Sequence, residues 1–362
     1  MTTGQPSEAH LSESRYRQSY LGDWVPEALT HPAQWPAHFT VAQDGSGTHT
    51  TVQSAINDLP AASEGAQRTY ILIKPGTYRE IVCAQSKAPF TLYARGPAQE
   101  VVLVEGRYNA LKKQVGEIAN PCAPNLNSAT YGTFSSATVT LHSDSVHLVG
   151  FSVVNDAMDR VKYGQGYPEG VGVTGGPQAV ALAVQGDRIQ LSQMRLIGHQ
   201  DTFFADKTPL PLGRVHVKDS TIAGDVDFIF GGAKLVVEHC LIISRAGRSP
   251  VGFVQHVLAP STAPDEPFGF LVTHSSLLAE PGVAEGSVSI ARPWDHGVKA
   301  GEWKPGLSPN GQLIITQSLL GKHLGLWGKS TSGRIPKYEI DDVYRFQSIQ
   351  NSPTDKLAFV VR

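Results

Sequence analysis

The sequence is poor in sulfur, with 3 cysteines and 3 methionines in 362 residues. Cys83, Cys122 and Cys240 cannot all pair within one chain, and no Cys-x-x-Cys or Cys/His spacing offers a zinc site. Cys83 and Cys122 could bridge, but the count favours free thiols. An excess of either charge is lacking too. The formal net charge of −2 gives no long-range attraction to nucleic acid or to an anionic membrane. No apolar run approaches the roughly 18 residues of a membrane span, and the opening MTTGQPSEAHLSESRYRQ lacks the apolar core of a signal peptide. Gly-x-Ser-x-Gly and His-Glu-x-x-His patterns are missing, which removes the serine-hydrolase elbow and the zincin. Gly170-Val-Gly172-Val-Thr-Gly175 fits a dinucleotide fingerprint in letters only, since no helical pattern follows it.

What the chain has instead is internal repetition. Ile189, Leu191, Met194 and Leu196 align with Val215, Val217, Ser220 and Ile222, at offsets 0, 2, 5 and 7. Four further segments, starting at Val146, Leu235, Phe270 and Leu313, carry the same offsets. Offsets 0 and 2 alternate as in a strand, the phase slips at Gly150, Gln193, Asp219, His239, His274 or Gln317, and alternation then resumes. Two short strands meeting at a corner produce this pattern. The starts are 43, 26, 20, 35 and 43 residues apart, so the insertions vary while the core does not, as in a solenoid. The expected fold is all-β: a right-handed, single-stranded parallel β-helix with long loops on one side. The aspartate twelve residues after each start, Asp201 and Asp227, then lies on successive coils, whose strands are about 4.7–4.9 Å apart.

In chain order, residues 1–38 form an N-terminal arm, polar and proline-bearing, with Trp24 and Trp35 and no clear periodicity. Residues 39–362 are expected to be one domain. FTVAQDGSGTHT reads as a strand and a glycine turn, after which Thr50 or Thr51 N-caps a short helix with Val52, Ala55, Ile56 and Leu59 on one face. That helix is suited to close the open end of the solenoid, where strand edges would otherwise be bare. TYILIKPGTYRE reads as strand, turn, strand, with further strands at 90–94, 101–104 and 138–141. Two long insertions, 105–137 and 155–177, interrupt the coils, and LAFVVR offers a last strand.

A carboxylate at a strand-to-loop turn is commonly a turn-former, and Asp225 could share the face of Asp227. Two equivalent acids one coil apart are also what general acid and nucleophilic chemistry require. Gln200, beside Asp201, can supply an amide donor. Phe203, Phe204, Phe228 and Phe230 alternate with polar positions as an apolar rim, two of the four being candidates for the core. The scattered histidines read as structural.

The ordered set KPGTYRE, PQAVAL, GHQDTFF, GDVDFIFG and ARPW resembles the pectin methylesterase (pectinesterase) family over about Phe39 to Leu320. GFVQHVLAPSTAPDEPFGF and the 155–177 insertion are similar to a bacterial branch that includes outer-membrane pectinesterases and thioesterase relatives. The resemblance implies a parallel β-helix that hydrolyses methyl esters of polygalacturonate without metal or cofactor, through an aspartyl acyl-enzyme. It implies Asp227 as nucleophile and Asp201 as general acid and base. Gln178 and Gln200 become oxyanion donors, and Arg292 the partner of Asp227. Trp294, Phe230 and Phe204 become sugar-binding surfaces. Two acids one rung apart resist ionising together, so Asp201 is expected to hold the proton. His199 and Phe204 stand where tyrosines are common and Ala291 where glycine is common, positions expected to line the groove. The expected partner is pectin or methylated oligogalacturonide, and the expected state a monomer. Location stays open between export, which the family implies, and the cytoplasm, since this N-terminus carries no export signal.

Three other functions fit parts of the pattern. A pectate lyase or polygalacturonase on the same scaffold would leave the esterase motifs unexplained. An acyl thioesterase could use the same acids. A non-catalytic galacturonide-binding β-helix would not require every catalytic residue type at its motif position.

Overall fold

The computed structural model describes residues 13–207, 212–325, 327–334 and 345–358. Among these, the strands form three parallel sheets of ten, nine and seven strands. Each full coil contributes one strand to each sheet, giving a parallel β-helix whose crossovers take the usual right hand. The repeat pairs as its spacing predicts: Ile189 with Val215, Val215 with Leu235, Leu235 with Phe270, and Phe270 with Leu313. Offsets 5 and 7 pass into the nine-stranded sheet, where Leu196 pairs with Ile222.

The phase slip has a backbone cause. Gly150, Gln193, Asp219, His239, His274 and Gln317 all have positive φ, between 48° and 77°. One left-handed residue turns the chain and resets which face the next side chain meets. At this corner Ser220, Ser275 and Ser318 occupy inward positions yet are satisfied. Their hydroxyls accept from the backbone N–H of Met194, Cys240 and Ser275 on the preceding coil, at 3.0–3.1 Å. Polar residues thus fill a column of an otherwise apolar core by completing its ladder.

The third, seven-stranded sheet is absent from the two-strand pattern. It runs through Val82–Gln85, Val139–His142, Leu182–Val184, Phe203–Ala205 and Val226–Gly231 to Gln255–Pro260 and Val288–Ala291. The insertions 105–137 and 155–177 enter it from the nine-stranded sheet, so both emerge at one corner.

The capping helix spans Val52–Asn57, with the Thr51 hydroxyl accepting from Ser54 N–H and Val52, Ala55 and Ile56 buried. Glu80 adds a second cap, accepting from the N–H groups of Val52 and Gln53. The described part of the N-terminal arm is packed. A helix at Glu13–Leu21 sets Tyr20 and Leu21 on Val236 and Leu271, and Leu29 and Trp35 cover Leu72, Tyr93 and Val149. The arm is a strap over the outer face of the ten-stranded sheet.

Two expectations are corrected. Cys83 and Cys122 form a disulfide, because the 105–137 insertion folds back onto the strand that carries Cys83. LAFVVR supplies no strand within the described residues: Leu357 and Ala358 lie outside any strand and the rest lies beyond them. Among the described residues the last strands are Arg345–Ile349 and Ser352–Thr354. No helix among the described residues is long and apolar enough to cross a membrane.

Candidate active site

The two acids meet where the nine-stranded sheet gives way to the seven-stranded one. Phe203 pairs with Ile229, and the same register sets Asp201 level with Asp227. The Asp201 N–H donates to Val226 O at 2.9 Å. Both aspartates have positive φ, 65° and 48°, so each side chain is swung out of the strand plane at a bend. Gly224 makes the second bend possible, since a β-carbon there would fall 2.2 Å from Phe228 Cβ. Beyond Asp227 the pairing slips between Val226/His256 and Ile229/Leu258. Asp227 and Phe228 therefore oppose the single residue Val257, a bulge of the kind that re-aims side chains.

The acids lie in a groove of about 690 Å³ together with Gln178, Gln200, Arg292 and Trp294. Three successive coils supply Gln178, the Gln200–Asp201 pair and Asp227, and Arg292 and Trp294 follow the Val288–Ala291 strand two coils further along the stack. Arg292 holds Asp227 with two parallel hydrogen bonds, Nε to Oδ1 at 2.8 Å and Nη2 to Oδ2. A fork of this kind fixes the orientation of a carboxylate. Burial of Asp201 raises its pKa well above the usual carboxylate value, and the neighbouring Asp227 charge raises it further. Arg292 and Arg248 oppose both effects without overcoming them. A carboxylate forked by an arginine beside one reluctant to ionise is an arrangement that can serve nucleophile-and-acid chemistry. Gln200 lies with its Oε1 buried and without a hydrogen-bond partner among the described residues.

The aromatic rim differs from expectation. Phe203 and Phe228 belong to the main core. Phe204 is only 1% exposed and is not a sugar-facing surface, because Phe134 from the 105–137 insertion covers it at 4.7 Å between ring centroids. Phe230 and Trp294 do line the groove, as does Phe134. Trp294 is stacked on His296 at 4.2 Å. His199 and Ala291 are buried and do not line the groove. Phe134 and His296 escaped the sequence reading because nothing in their local pattern reports a fold-back.

Asp225 turns away from Asp227 and is wholly buried. Arg248 grips it from Nε at 2.5 Å and from Nη2 at 2.6 Å, and the guanidinium also bonds the Tyr167 hydroxyl at 2.8 Å. His199 bridges Asp225 and Asp159, at 2.9 and 3.1 Å. Burial alone would raise the Asp225 pKa, but Arg248 and His199 outweigh it and leave the carboxyl below its usual value. This ionic cluster ties the 155–177 insertion and the 245–254 loop to the coil that bears Asp227. His256, the strand partner of Val226, is kept neutral by burial, its pKa lowered to about 4.

Comparisons with known proteins agree on the family. The family model described as pectinesterase matches residues 38–298. A pectinesterase of Ralstonia solanacearum is 38% identical over 305 residues, covering 82% of this chain and 74% of its own. Pectinesterase B of Dickeya dadantii is 30% identical, covering 94% and 84%. The solved structure of rice weevil pectin methyl esterase superposes with a TM-score of 0.77 at 28% identity, covering 98% of this chain and 99% of that one. The chain belongs to the pectinesterase family.

Proposed function

We propose that this protein hydrolyses the methyl esters of polygalacturonate, releasing methanol and leaving free uronate. The observation that carries the reading is the level pair of carboxylates, one forked by Arg292 and the other pushed towards its protonated form. Asp227 attacks the ester carbonyl carbon. The oxyanion is held by the amide groups of Gln178 and Gln200, and the C–O bond to methoxide breaks as Asp201 gives it a proton. Asp201, now ionised, takes a proton from water as that water attacks the acyl-enzyme anhydride, which frees Asp227 and returns Asp201 to its starting state. Phe230 and Trp294 flank the reacting centre as apolar surfaces for the sugar and its ester.

The acids, the arginine and both glutamines come from one chain, so the working unit in this reading is a monomer. The Cys83–Cys122 disulfide favours an oxidising location, outside the cytoplasm.

Methanol release from methylated oligogalacturonides of graded length tests the assignment. Asp227→Asn keeps the side-chain shape without the nucleophile and is expected to abolish turnover while the fold is retained. Persistent methanol release by that variant would overturn the mechanism. A parent that binds the oligomers without hydrolysing them would identify a binding module.

A further inference from the structure

A glutamine in an oxyanion site is useful in only one of its two amide orientations. The NH2 end stabilises developing negative charge, whereas the carbonyl end repels it. Gln178 is half-buried and lines the groove beside both aspartates. We propose that Asn109 is a positioning residue that sets this orientation, taking the carbonyl end of Gln178 so that its NH2 end faces the reacting ester.

Asn109 Nδ2 donates to Gln178 Oε1 at 3.0 Å and to Thr133 Oγ1 at 3.2 Å. The backbone holds the two side chains face to face. Asn109 N–H donates to Gln178 O at 2.8 Å, Ala110 N–H to Gly176 O at 3.2 Å, and Gly132 N–H to Asn109 O at 2.9 Å. The start of the 105–137 insertion is thus fastened to the segment that carries Gln178, its far end is tied back to Asn109 through Gly132, and the Cys83–Cys122 disulfide fastens its middle. Gln200 has no equivalent partner among the described residues, its Oε1 being buried without one there. The insertion therefore contributes more than a groove wall, because it decides which end of one catalytic amide meets the substrate.

The inference rests on the esterase reading, and steady-state methanol release by the full chain separates the two. Asn109→Asp preserves size but offers only acceptors, so it draws the Gln178 NH2 group to itself and turns the carbonyl towards the oxyanion. The kcat is expected to fall about 100-fold, the scale of one lost oxyanion donor, with KM nearly unchanged. Asn109→Ala frees the amide to rotate and is expected to cost less than Asn109→Asp. In a Gln178→Ala background, Asn109→Asp is expected to lower kcat no further.

Parental kcat in Asn109→Asp overturns the proposal. So does a greater loss in Asn109→Ala than in Asn109→Asp, which would indicate packing. A loss that persists undiminished without the Gln178 amide also overturns it, since the added charge would then act by itself. A parent that releases no methanol overturns the esterase reading instead.

Discussion

Replacing Arg248 with methionine removes the cation from the ionic cluster behind the acids while keeping much of its buried volume. The guanidinium is only 1% exposed and makes two charge-assisted bonds to Asp225, at 2.5 and 2.6 Å. Its loss leaves a fully buried carboxylate with His199 as its remaining side-chain partner, and frees a tyrosine hydroxyl. Breaking a buried pair from one side costs about 3–5 kcal/mol, and one neutral hydrogen bond about 1 kcal/mol, so a loss of roughly 4–6 kcal/mol is expected. Asp225→Asn/Arg248→Met removes both charges and keeps an amide against His199. Its loss is expected to be smaller than that of Arg248→Met alone.

Urea unfolding followed by tryptophan fluorescence measures both variants. The sign with pH follows from Asp225, whose folded pKa lies below its ordinary 3.8. Its contribution is present above pH 3.8 and is lost as the pH falls through the depressed value, and the double variant should lack that acid-limb loss. A cost under about 1 kcal/mol for Arg248→Met, or simple additivity of the two single changes, would refute the reasoning.

Asp201 gives the opposite sign. Its folded pKa is raised, so its stabilising contribution is complete below pH 3.8 and declines as the pH rises through the raised value. Asp201→Asn is therefore expected to be inactive yet more stable than the parent at neutral pH, with the gain vanishing near pH 3 in thermal melts. Cys83→Ala/Cys122→Ala opens a link between residues 39 apart, which is worth about 4 kcal/mol of chain entropy at most. Because the freed insertion carries Phe134 and Asn109, methanol-release kinetics should show a higher KM and a lower kcat, alongside a lower urea midpoint. Gly231 has φ of +130° and no room for a side chain, since a β-carbon there would fall 1.9 Å from Ala205 O. Gly231→Ala is expected to cost more than about 2 kcal/mol in the same unfolding assay and to reduce turnover by disturbing the strand that bears Asp227.

The coil was legible in the sequence because its corner breaks strand alternation at one fixed position. The left-handed residues Gln193, Asp219, His239 and His274 are where the apolar phase slips, so a backbone angle is written as a pattern of side chains. The level placement of Asp201 and Asp227 follows from that spacing, and the capping helix from Thr51 and the apolar face of Val52, Ala55 and Ile56. The contacts made across coils by inserted loops were not legible. Arg248, His199, Tyr167 and Asp159 gather around Asp225 from separate segments, and none of these segments has a period that reports the others. Phe204 shows the same limit. Its place on the strand points outward, as alternation requires, but the returning insertion puts Phe134 over it and makes that outside an inside. The third sheet was hidden because, apart from the two coils that carry Asp201 and Asp227, its strands follow insertions of unequal length and share no offset from the repeat start. The helix at Glu13–Leu21 left no trace for want of a stripe: Tyr20 and Leu21 are adjacent at its end, so they mark no face.

The left-handed corner has a further consequence for how such a protein changes over time. Because each winding from the one starting at Val146 to the one starting at Leu313 is bent by a single residue at the same column, the chain between bends can lengthen or shorten without tilting the winding above. The two loops beside the carboxylates can thus change length between their anchor points at Asn109, Cys122, Asp159 and Tyr167, while the spacing of the acids stays locked to the rise of the stack.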